Sequence, residues 1–556
     1  MRIFKKTTVI KRAQFLFKIN RLFAIPNAYF LLICYALVNL FFFQRHFLLF
    51  RDYSILWEGA YRVSLGQMPY TDFGTPVGPV SFLIPALFFK LLSPSWFVMQ
   101  LSQLFENALL LGLAFTLLKR LQFTRVNINK AITCFSFLYL IFLSHPWYNS
   151  GAFLCFLASM VLVLGAGYWS VLAAGLIAGL CFLAKQDYGV MNLFLGSLVL
   201  VLTQSDQSGS YKKLDFSFNV LKDLKRIGAI SAALILFAIA FVLPIAGLIL
   251  LVDSSQFFYW FNYGQPPHEI RKVHIWDFAN HGNLFLPACI AFYFAYRTLR
   301  IDLLLAGIFF LCSFVVSSTS GLDYTGFFYF LFLPLLLQTV LDRQLIKKKW
   351  LSILLLVATL SCLAFPSKYL FRLVQTTVLA KAEPYSFRHV YITRPVQAFP
   401  NTMPAFKNVM GSSDSLVMIN ELQQIFKEPI AASKGQRGTE LKVLNISELT
   451  PLYAELGSRP PLHYPLWYHT DVALFPREIQ IIDRDIDDGE FDVVILQNAH
   501  GRANFEEFLT RLQSNPQYQT LRERGFVSPS TSMGDACYEG YCPNHIYVYV
   551  RKSFLK

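Results

Sequence analysis

Charged side chains are scarce in this sequence. Only 15% of its 556 residues are Asp, Glu, Lys or Arg, whereas 55% are hydrophobic and the mean hydropathy is +0.44. A soluble protein of this size carries about 25% charged residues. The shortage therefore excludes an ordinary soluble chain and predicts a polytopic α-helical membrane protein.

The sequence also lacks the short motifs of several enzyme classes. It contains no glycine-rich loop for phosphates, no nucleophile elbow, no zinc-protease helix and no site typical of soluble nucleotide-sugar enzymes. No internal repeat and no cleavable signal peptide are evident.

Acidic residues are outnumbered by basic ones, 34 against 49, and the imbalance is local. Tyr369 to Lys556 holds nineteen basic and twenty acidic residues, so nearly all of the net charge of +15 lies in the apolar part. Positively charged cytoplasmic loops produce such an excess, and it does not indicate nucleic acid as a partner.

Apolar segments that suit a bilayer recur from Ala24 to Pro366. The predicted spans are 24–43, 96–118, 131–145, 151–167, 169–184, 188–203, 227–251, 284–298, 302–319, 324–341 and 350–366. The N-terminus is basic and the connections rich in Lys and Arg recur on the same side. About eleven spans then predict an integral membrane protein with a cytoplasmic N-terminus and an extracytoplasmic C-terminal domain.

The apolar segment Pro79 to Leu92 decides this orientation. Its fourteen residues are fewer than the roughly twenty that a spanning helix needs. Counting it as a span would move the basic cluster Lys119–Lys130 to the outside, so we interpret it as a juxtamembrane or re-entrant helix. It ends the first outer loop, residues 44–94.

The remaining chain reads as α/β, which divides the protein into a transmembrane domain (1–366), a linker (367–404) and an extracytoplasmic α/β domain (405–556). The sequence pattern predicts strands at Ser415–Ile419, Phe491–Gln497 and His545–Val550, and helices at Ser447–Leu456 and Asn504–Gln513. Cys537 and Cys542 predict a short hairpin disulfide of an oxidising compartment, with two idle thiols as the alternative.

Two acidic residues of the first outer loop are candidates for chemistry. Glu58 has Arg62 at i+4 on a helical stripe, so a surface ion pair is its simplest interpretation. Asp52 lies off that stripe and has apolar neighbours at i+3 and i+4, which is costly at a membrane surface unless a cation or substrate meets it. A helix N-cap or a partner for Arg51 is the alternative.

Further along the loop, the stretch Gly66 to Pro79 contains three prolines, several glycines and a single acid, Asp72. Such a composition predicts an ordered turn. Asp72 either holds that turn through its own backbone bonds or contacts a substrate.

These motifs together resemble a known family. An Asp soon after the first span, then Trp-x-Gly-Ala from Trp57, Gly-x-x-Pro-Tyr-x-Asp-Phe from Gly66 and Gly-Pro at Gly78, are similar to the GT-C membrane glycosyltransferases. More narrowly, they are similar to the bacterial relatives of the dolichyl-phosphate-mannose protein mannosyltransferases and to the lipid A aminoarabinose transferases. Ala184-Lys185-Gln186-Asp187-Tyr188-Gly189 also matches this pattern. The resemblance implies transfer of a sugar from a polyprenyl-phosphate carrier to a glycan, lipid or protein acceptor on the extracytoplasmic face of the membrane.

By this resemblance Asp52 matches the first-loop catalytic acid and is the expected general base, with Tyr70 and Asp72 in the substrate-binding loop. Many relatives have paired acids here, whereas this chain has Asp52-Tyr53. One carboxylate is a poor magnesium site, so no resident cofactor is expected and a divalent cation stays an alternative.

The leaving group of this reaction is polyprenyl phosphate. The negative charge that develops on it needs a cation in surroundings of low polarity. Lys185, with Gln186 beside it, matches the family's Lys-Gln motif, and Asp187 either neutralises Lys185 or contacts the sugar; a snorkelling lysine is the alternative. In the aromatic loop Asp253–Asn283, His268 and Arg271 are expected to meet the phosphate, with an aromatic belt as the alternative.

The sequence therefore favours an inverting glycosyltransferase with a lipid-phosphate sugar donor. A transporter or flippase for a lipid-linked saccharide is a second hypothesis, against which we count the near absence of charge in the middle of the spans. The third is a transferase that resembles the O-antigen ligases and uses a diphosphate-linked donor, in which His268 and Arg271 dominate over Asp52.

Overall fold

The structure, a computed structural model, describes most of the chain between residues 51 and 554. The described residues are 51–140, 148–165, 167–203, 224–261, 275–320, 328–341, 353, 356–357, 396–398, 403–408, 410–412, 417, 419–427, 441–466, 468, 473–497, 505–528 and 542–554. The predicted span 24–43, nearly all of 350–366, and Cys537 of the predicted disulfide lie outside these ranges.

The apolar part is a bundle of helices. After the first outer loop come α3 (Trp96–Arg120), α4 (Arg125–Phe135), α5 (Tyr148–Val163), α6 (Tyr168–Ala184), α7 (Gln186–Thr203), α8 (Leu224–Leu251), the short α9 (Ser254–Phe261), α10 (Ile275–Thr298), α11 (Ile301–Ser320) and α12 (Leu333–Leu341). Among the described residues, Trp96–Arg120 and Gly228–Leu251 are long and apolar enough to cross a membrane. The full number of spans stays a prediction.

Small residues let these helices approach closely. A side chain at Gly175 would place its Cβ 2.5 Å from the carbonyl oxygen of Phe237, and one at Gly179 would lie 2.3 Å from that of Phe241. Glycine therefore allows α6 to pack backbone against backbone on α8, as is common between helices in membranes.

The first outer loop is largely helical. It contains α1 (Arg51–Ser64), the short strand β1 (Phe73–Gly74), a 3₁₀ turn (Pro79–Phe82) and α2 (Leu83–Leu92). Pro85, Ala86 and Phe89 of α2 are buried, whereas Leu83, Leu87 and Leu91 are exposed. An exposed row of leucines on a ten-residue helix fits the predicted juxtamembrane helix.

The C-terminal domain contains a mixed sheet of four strands: β4 (Val443–Ile446), β6 (Val493–Gln497), β7 (Tyr518–Ser528) and β8 (Cys542–Arg551). Their order in the sheet is β4-β6-β8-β7, in which β4 and β6 are parallel and β8 is antiparallel to both β6 and β7. Helices α13 (Leu452–Glu455), α14 (Pro476–Asp487) and α15 (Phe505–Ser514) lie between the strands in sequence. A separate hairpin pairs β2 (Val396–Ala398) with β3 (Met410–Ser412).

The first outer loop and the C-terminal domain share one hydrophobic core. Trp57 and Phe82 of the loop belong to the same buried cluster as Leu449, Val493 and Val548. Strand β1 also pairs in parallel with β5 (Tyr464–Pro465), and the backbone N–H of Leu466 donates to the carbonyl of Gly74 at 2.8 Å. The loop is therefore part of the C-terminal fold, although almost 400 residues separate them.

Two local predictions for this domain are wrong. Val417 and Ile419 are helical, in a segment that continues to residue 427, so the predicted strand Ser415–Ile419 is a helix where it is described. The predicted helix Ser447–Leu456 shrinks to the four residues of α13. Strands β6 and β8 and helix α15 lie where the sequence predicts them.

Candidate functional site at the outer rim of the bundle

The turn between α6 and α7 presents Lys185. Its backbone is extended, with φ −157°, between the last residue of one helix and the first of the next. A side chain at Gly189 would lie 2.3 Å from Cα of Phe182, so only glycine lets α7 return alongside α6. The chain therefore reverses here with Lys185 at its tip.

The charge of Lys185 is held between a carboxylate and two aromatic rings. Its Nζ lies 2.9 Å from Oδ2 of Asp187, and 5.8 and 5.4 Å from the ring centres of Tyr148 and Tyr188. The side chains of Lys185 and Asp187 are 16% and 22% exposed. Asp187 thus neutralises Lys185, while partial burial strengthens the field of this pair compared with a pair in open water.

The first outer loop packs directly on this turn. A side chain at Gly78 would place its Cβ 2.1 Å from the carbonyl oxygen of Leu183 and 2.5 Å from that of Ala184. Glycine is therefore required for the loop backbone to reach the end of α6, one residue before Lys185. The Gly-Pro element of the loop (Gly78-Pro79) and the Lys-Gln motif (Lys185-Gln186) therefore lie together at one end of the helix bundle, which we call the rim.

Helix α9 closes the third side of this rim. The side-chain amide of Gln186 donates to the carbonyl of Phe261 at 2.7 Å. Gly74 lies against Trp260, whose ring an added Cβ would approach to 2.0 Å, and the rings of Tyr70 and Phe257 meet edge to face at 5.2 Å. Gln186 and Tyr70 are therefore both tied to α9.

Two candidates of the loop occupy structural positions. Tyr70 is 1% exposed and belongs to the cluster that also contains Leu183 and Trp260. Asp72 accepts a hydrogen bond from the backbone N–H of Met68 at 2.7 Å through Oδ2, while its carbonyl accepts from the N–H of His463 at 2.6 Å. Asp72 therefore holds both the turn and its contact with the C-terminal domain.

The structure describes the remaining candidate residues, Asp52, His268 and Arg271, only in part. Asp52 lies in the first turn of α1, but its side chain lies outside the described part of the chain, as do His268 and Arg271 altogether. Two residues after Asp52, the hydroxyl of Ser54 donates to the carbonyl of Glu448 at 2.6 Å, and Thr450 donates back to the carbonyl of Ser54. The first turns of α1 thus lie against the C-terminal domain.

The interpretation of Glu58 as a surface ion pair is wrong in its location. Arg62 does bond Glu58 Oε1, at 2.9 Å from Nε and 2.7 Å from Nη2, but the side chains are 0% and 1% exposed. Arg62 also donates to the carbonyl of Pro461 at 2.8 Å. The pair is buried because the C-terminal domain covers the polar stripe of α1.

A buried carboxylate in the middle of α3 was missed by the sequence reasoning. Glu106 is 4% exposed and accepts a hydrogen bond at 2.8 Å from the hydroxyl of Ser150, which also lies 3.1 Å from Gln103. Gln103 in turn donates to Asn107 at 2.9 Å. The sequence does contain a signal for it, because Glu106 lies between Gln103 and Asn107, which are one helical turn apart, inside an apolar span.

The polar cluster of Glu106 lies next to the Lys185 rim. Ser150 is two residues from Tyr148, whose ring contacts Lys185, and Gly151 lies beside Ser81 of the loop. Asn149 is fully buried, and neither of its side-chain polar atoms has a hydrogen-bond partner among the described residues. Helix α3 therefore carries an acidic residue near its middle, and the expected near absence of charge in the middle of the spans is wrong for this helix.

Comparisons with known proteins give one kind of match. No protein-family model matches the chain, and no curated protein matches it. Two crystal structures of ArnT from Cupriavidus metallidurans, one bound to undecaprenyl phosphate and one in the apo state, are similar to it with a TM-score of 0.48 and 12% identity. Each alignment covers 94% of this chain and 98% of the other.

Proposed function

We propose that this protein is an inverting glycosyltransferase that moves a sugar from a polyprenyl-phosphate donor to an acceptor on the extracytoplasmic face of the membrane. The observation that carries the proposal is the seating of the first outer loop on the turn that holds Lys185. Two motifs about 100 residues apart in sequence, both matching the same family pattern, thereby belong to one rim.

In the proposed reaction the acceptor hydroxyl attacks the anomeric carbon of the sugar. Asp52 takes the proton of that hydroxyl, a contribution of about 100- to 10,000-fold for a general base. The bond from the anomeric carbon to the phosphate oxygen breaks, and its electron pair leaves with the polyprenyl phosphate. A single displacement of this kind inverts the anomeric centre.

Lys185 is proposed to stabilise the charge that develops on the leaving phosphate. Its ammonium group is partly buried and already oriented by Asp187 and the two tyrosine rings. Removing one such preorganised donor typically lowers turnover by about 100- to 1,000-fold. Asp187 is proposed to keep the ammonium in place until the phosphate arrives.

The test uses membranes that contain the full chain, supplied with a polyprenyl-phosphate sugar. Asp52→Asn and Lys185→Met are expected to lower transfer by about 100-fold or more at equal protein levels. Asp302→Asn is the control, because Asp302 pairs with Arg300 between α10 and α11, away from the rim. Wild-type transfer in Asp52→Asn would contradict the mechanism.

Glu106 favours one second candidate, a transporter for a lipid-linked saccharide, because transporters place polar groups at mid-depth. Transport requires the outer side of the bundle to open. A short bis-maleimide cross-link between Gln67→Cys and Pro460→Cys, at the position where the Gln67 side chain donates to the Pro460 carbonyl at 2.9 Å, should therefore stop transport into vesicles. It should leave sugar transfer intact if the protein is a transferase.

A donor comparison tests the third candidate. A transferase with a diphosphate-linked donor should depend on His268 and Arg271 and tolerate Asp52→Asn. Monophosphate and diphosphate donors with the same sugar, assayed on the same variants, separate the two reactions.

A further inference from the structure

Helix α14 of the C-terminal domain meets α9 at the level where α8 ends. Helix α8 ends at Leu251 and α9 begins at Ser254. Leu250, Leu251 and Phe258 are 86%, 70% and 53% exposed. Exposed apolar side chains at the end of a helix long enough to span a membrane mark the boundary between lipid tails and headgroups. The contact between α9 and α14 therefore lies beside lipid headgroups.

Arg477 of α14 is clamped on α9 at this boundary. Its guanidinium carbon lies 3.8 Å from the ring centre of Tyr259 and 6.0 Å from that of Trp260. Nε lies 2.7 Å from Oε1 of Glu478, and Nη2 donates to Gln256 at 3.2 Å. The guanidinium plane is thus fixed by one ring and two side-chain oxygens.

The carboxylate that fixes Arg477 is itself buried. Glu478 is 2% exposed, and its second oxygen accepts a hydrogen bond from the hydroxyl of Tyr259 at 3.2 Å. Burial, followed by the nearby Glu478 carboxylate, raises the pKa of Tyr259 to about 12. Tyr259 therefore keeps its proton and remains the donor, so that one carboxylate orients both the arginine and the ring beneath it.

One side of the guanidinium is left for a ligand. Nη1 of Arg477 has no hydrogen-bond partner among the described residues, and the side chain is 42% exposed. A guanidinium that is already oriented loses little conformational entropy when it binds, and its planar donors match the oxygens of a phosphate. A phosphate oxygen is therefore the ligand that fits this position beside lipid headgroups.

We propose that Arg477 is the cation of a lipid-phosphate site at the contact of α9 and α14, so that the C-terminal domain holds the phosphate of a membrane lipid. The phosphate belongs either to a bulk anionic phospholipid or to a polyprenyl phosphate, and both present the same oxygens to Nη1. The proposal does not depend on glycosyl transfer, because it requires neither Asp52 nor Lys185.

The experiment measures lipid binding to the full-length protein by native mass spectrometry, with no sugar and no acceptor present. Phosphatidylglycerol and polyprenyl phosphate are added separately, with phosphatidylcholine as the background lipid. Arg477→Gln is expected to weaken binding of at least one of the two by about tenfold to hundredfold, the range for a charge-assisted hydrogen bond.

Two further variants keep the result interpretable. Arg477→Lys preserves the charge without the planar fork and should bind more weakly than the wild type but better than Arg477→Gln. Arg484→Gln is the matched control, since Arg484 lies two turns along the same helix, is 66% exposed and pairs with Asp485. The Arg484→Gln protein should bind both lipids as the wild type does.

The outcomes separate the lipid sources. Loss of phosphatidylglycerol alone identifies a bulk-lipid contact, and loss of polyprenyl phosphate alone identifies a carrier site. Unchanged binding of both lipids in Arg477→Gln, with a wild-type melting temperature, overturns the proposal. Wild-type transfer in Asp52→Asn would contradict the proposed function but leave the lipid-phosphate site intact, whereas unchanged lipid binding in Arg477→Gln would overturn the site and leave the proposed function intact.

Discussion

The ion pair between Arg62 and Glu58 of α1 is buried where the C-terminal domain covers this helix, so the loss of Arg62 is expected to weaken the contact between the first outer loop and that domain. Arg62→Met leaves the Glu58 carboxylate, 1% exposed, without its guanidinium and removes the donor to the Pro461 carbonyl. Breaking a buried pair by deleting one partner costs about 3–5 kcal/mol. We therefore expect the loop and the domain to separate locally far more often in this variant.

Hydrogen exchange reads this opening directly. The backbone N–H groups of His463 and Leu466 donate to the carbonyls of Asp72 and Gly74, across the contact between loop and domain. If both exchange through local opening, the loss of stability in Arg62→Met should speed their exchange by about 150- to 5,000-fold. The full-length protein in detergent micelles suits this measurement.

Two variants make the reasoning refutable. Lys442→Gln removes one member of an exposed pair with Glu490, whose side chains are 63% and 55% exposed, and such a pair contributes at most about 1 kcal/mol. Glu58→Met combined with Arg62→Met removes both charges and should recover much of the lost protection, because no charge then stays buried. Exchange in Arg62→Met no faster than in Lys442→Gln would refute the account.

Substitutions at Gly78, Asp72 and Glu106 test single contacts in the rim or beside it, with Gly112 as a control position. Gly78→Ala should force the loop off the end of α6 and abolish sugar transfer, whereas Gly112→Ala, whose Cβ meets nothing within 4 Å, should leave transfer unchanged. Asp72→Asn keeps an oxygen for its turn and should retain transfer, while Asp72→Ala should lower the free energy of unfolding by about 1–3 kcal/mol. Glu106→Gln keeps the bond from Ser150 and should unfold near the wild-type temperature, whereas Glu106→Leu removes that bond and should cost about 1–3 kcal/mol.

The sequence predicts the local features of this protein where one physical signal dominates. Length alone identifies α2, because ten to fourteen apolar residues do not cross a bilayer, and the structure has a short helix with one exposed leucine row. Continuous runs of β-branched and aromatic residues predict β6 and β8. Strand β7 was missed because Gln519 to Arg524 is mostly polar, as expected for a strand that pairs on one side only.

Features that depend on distant partners were not predictable. Glu58 and Arg62 look like a solvent-exposed i,i+4 pair because nothing near them in sequence indicates the domain that covers them. Strand β1 has only two residues, and its pairing with Tyr464 and Pro465 has no periodic signal. Arg477 was missed for the same reason, since its aromatic partners belong to another part of the chain.

The way in which the outer rim is held together favours transfer over transport. In a transporter the elements on the two sides of a substrate path must separate in each cycle. Here the loop is packed against α6 through Gly78, against α9 through Gly74, and hydrogen-bonded to the C-terminal domain through Asp72. Opening that side would expose Trp57, Phe82 and the buried charges of α1, whereas a transferase needs the same elements to stay fixed around the reacting groups. The polar cluster at Glu106 can then be explained without a transport path. The bond from Ser150 to the Glu106 carboxylate fixes the start of α5, and with it the Tyr148 ring that contacts Lys185.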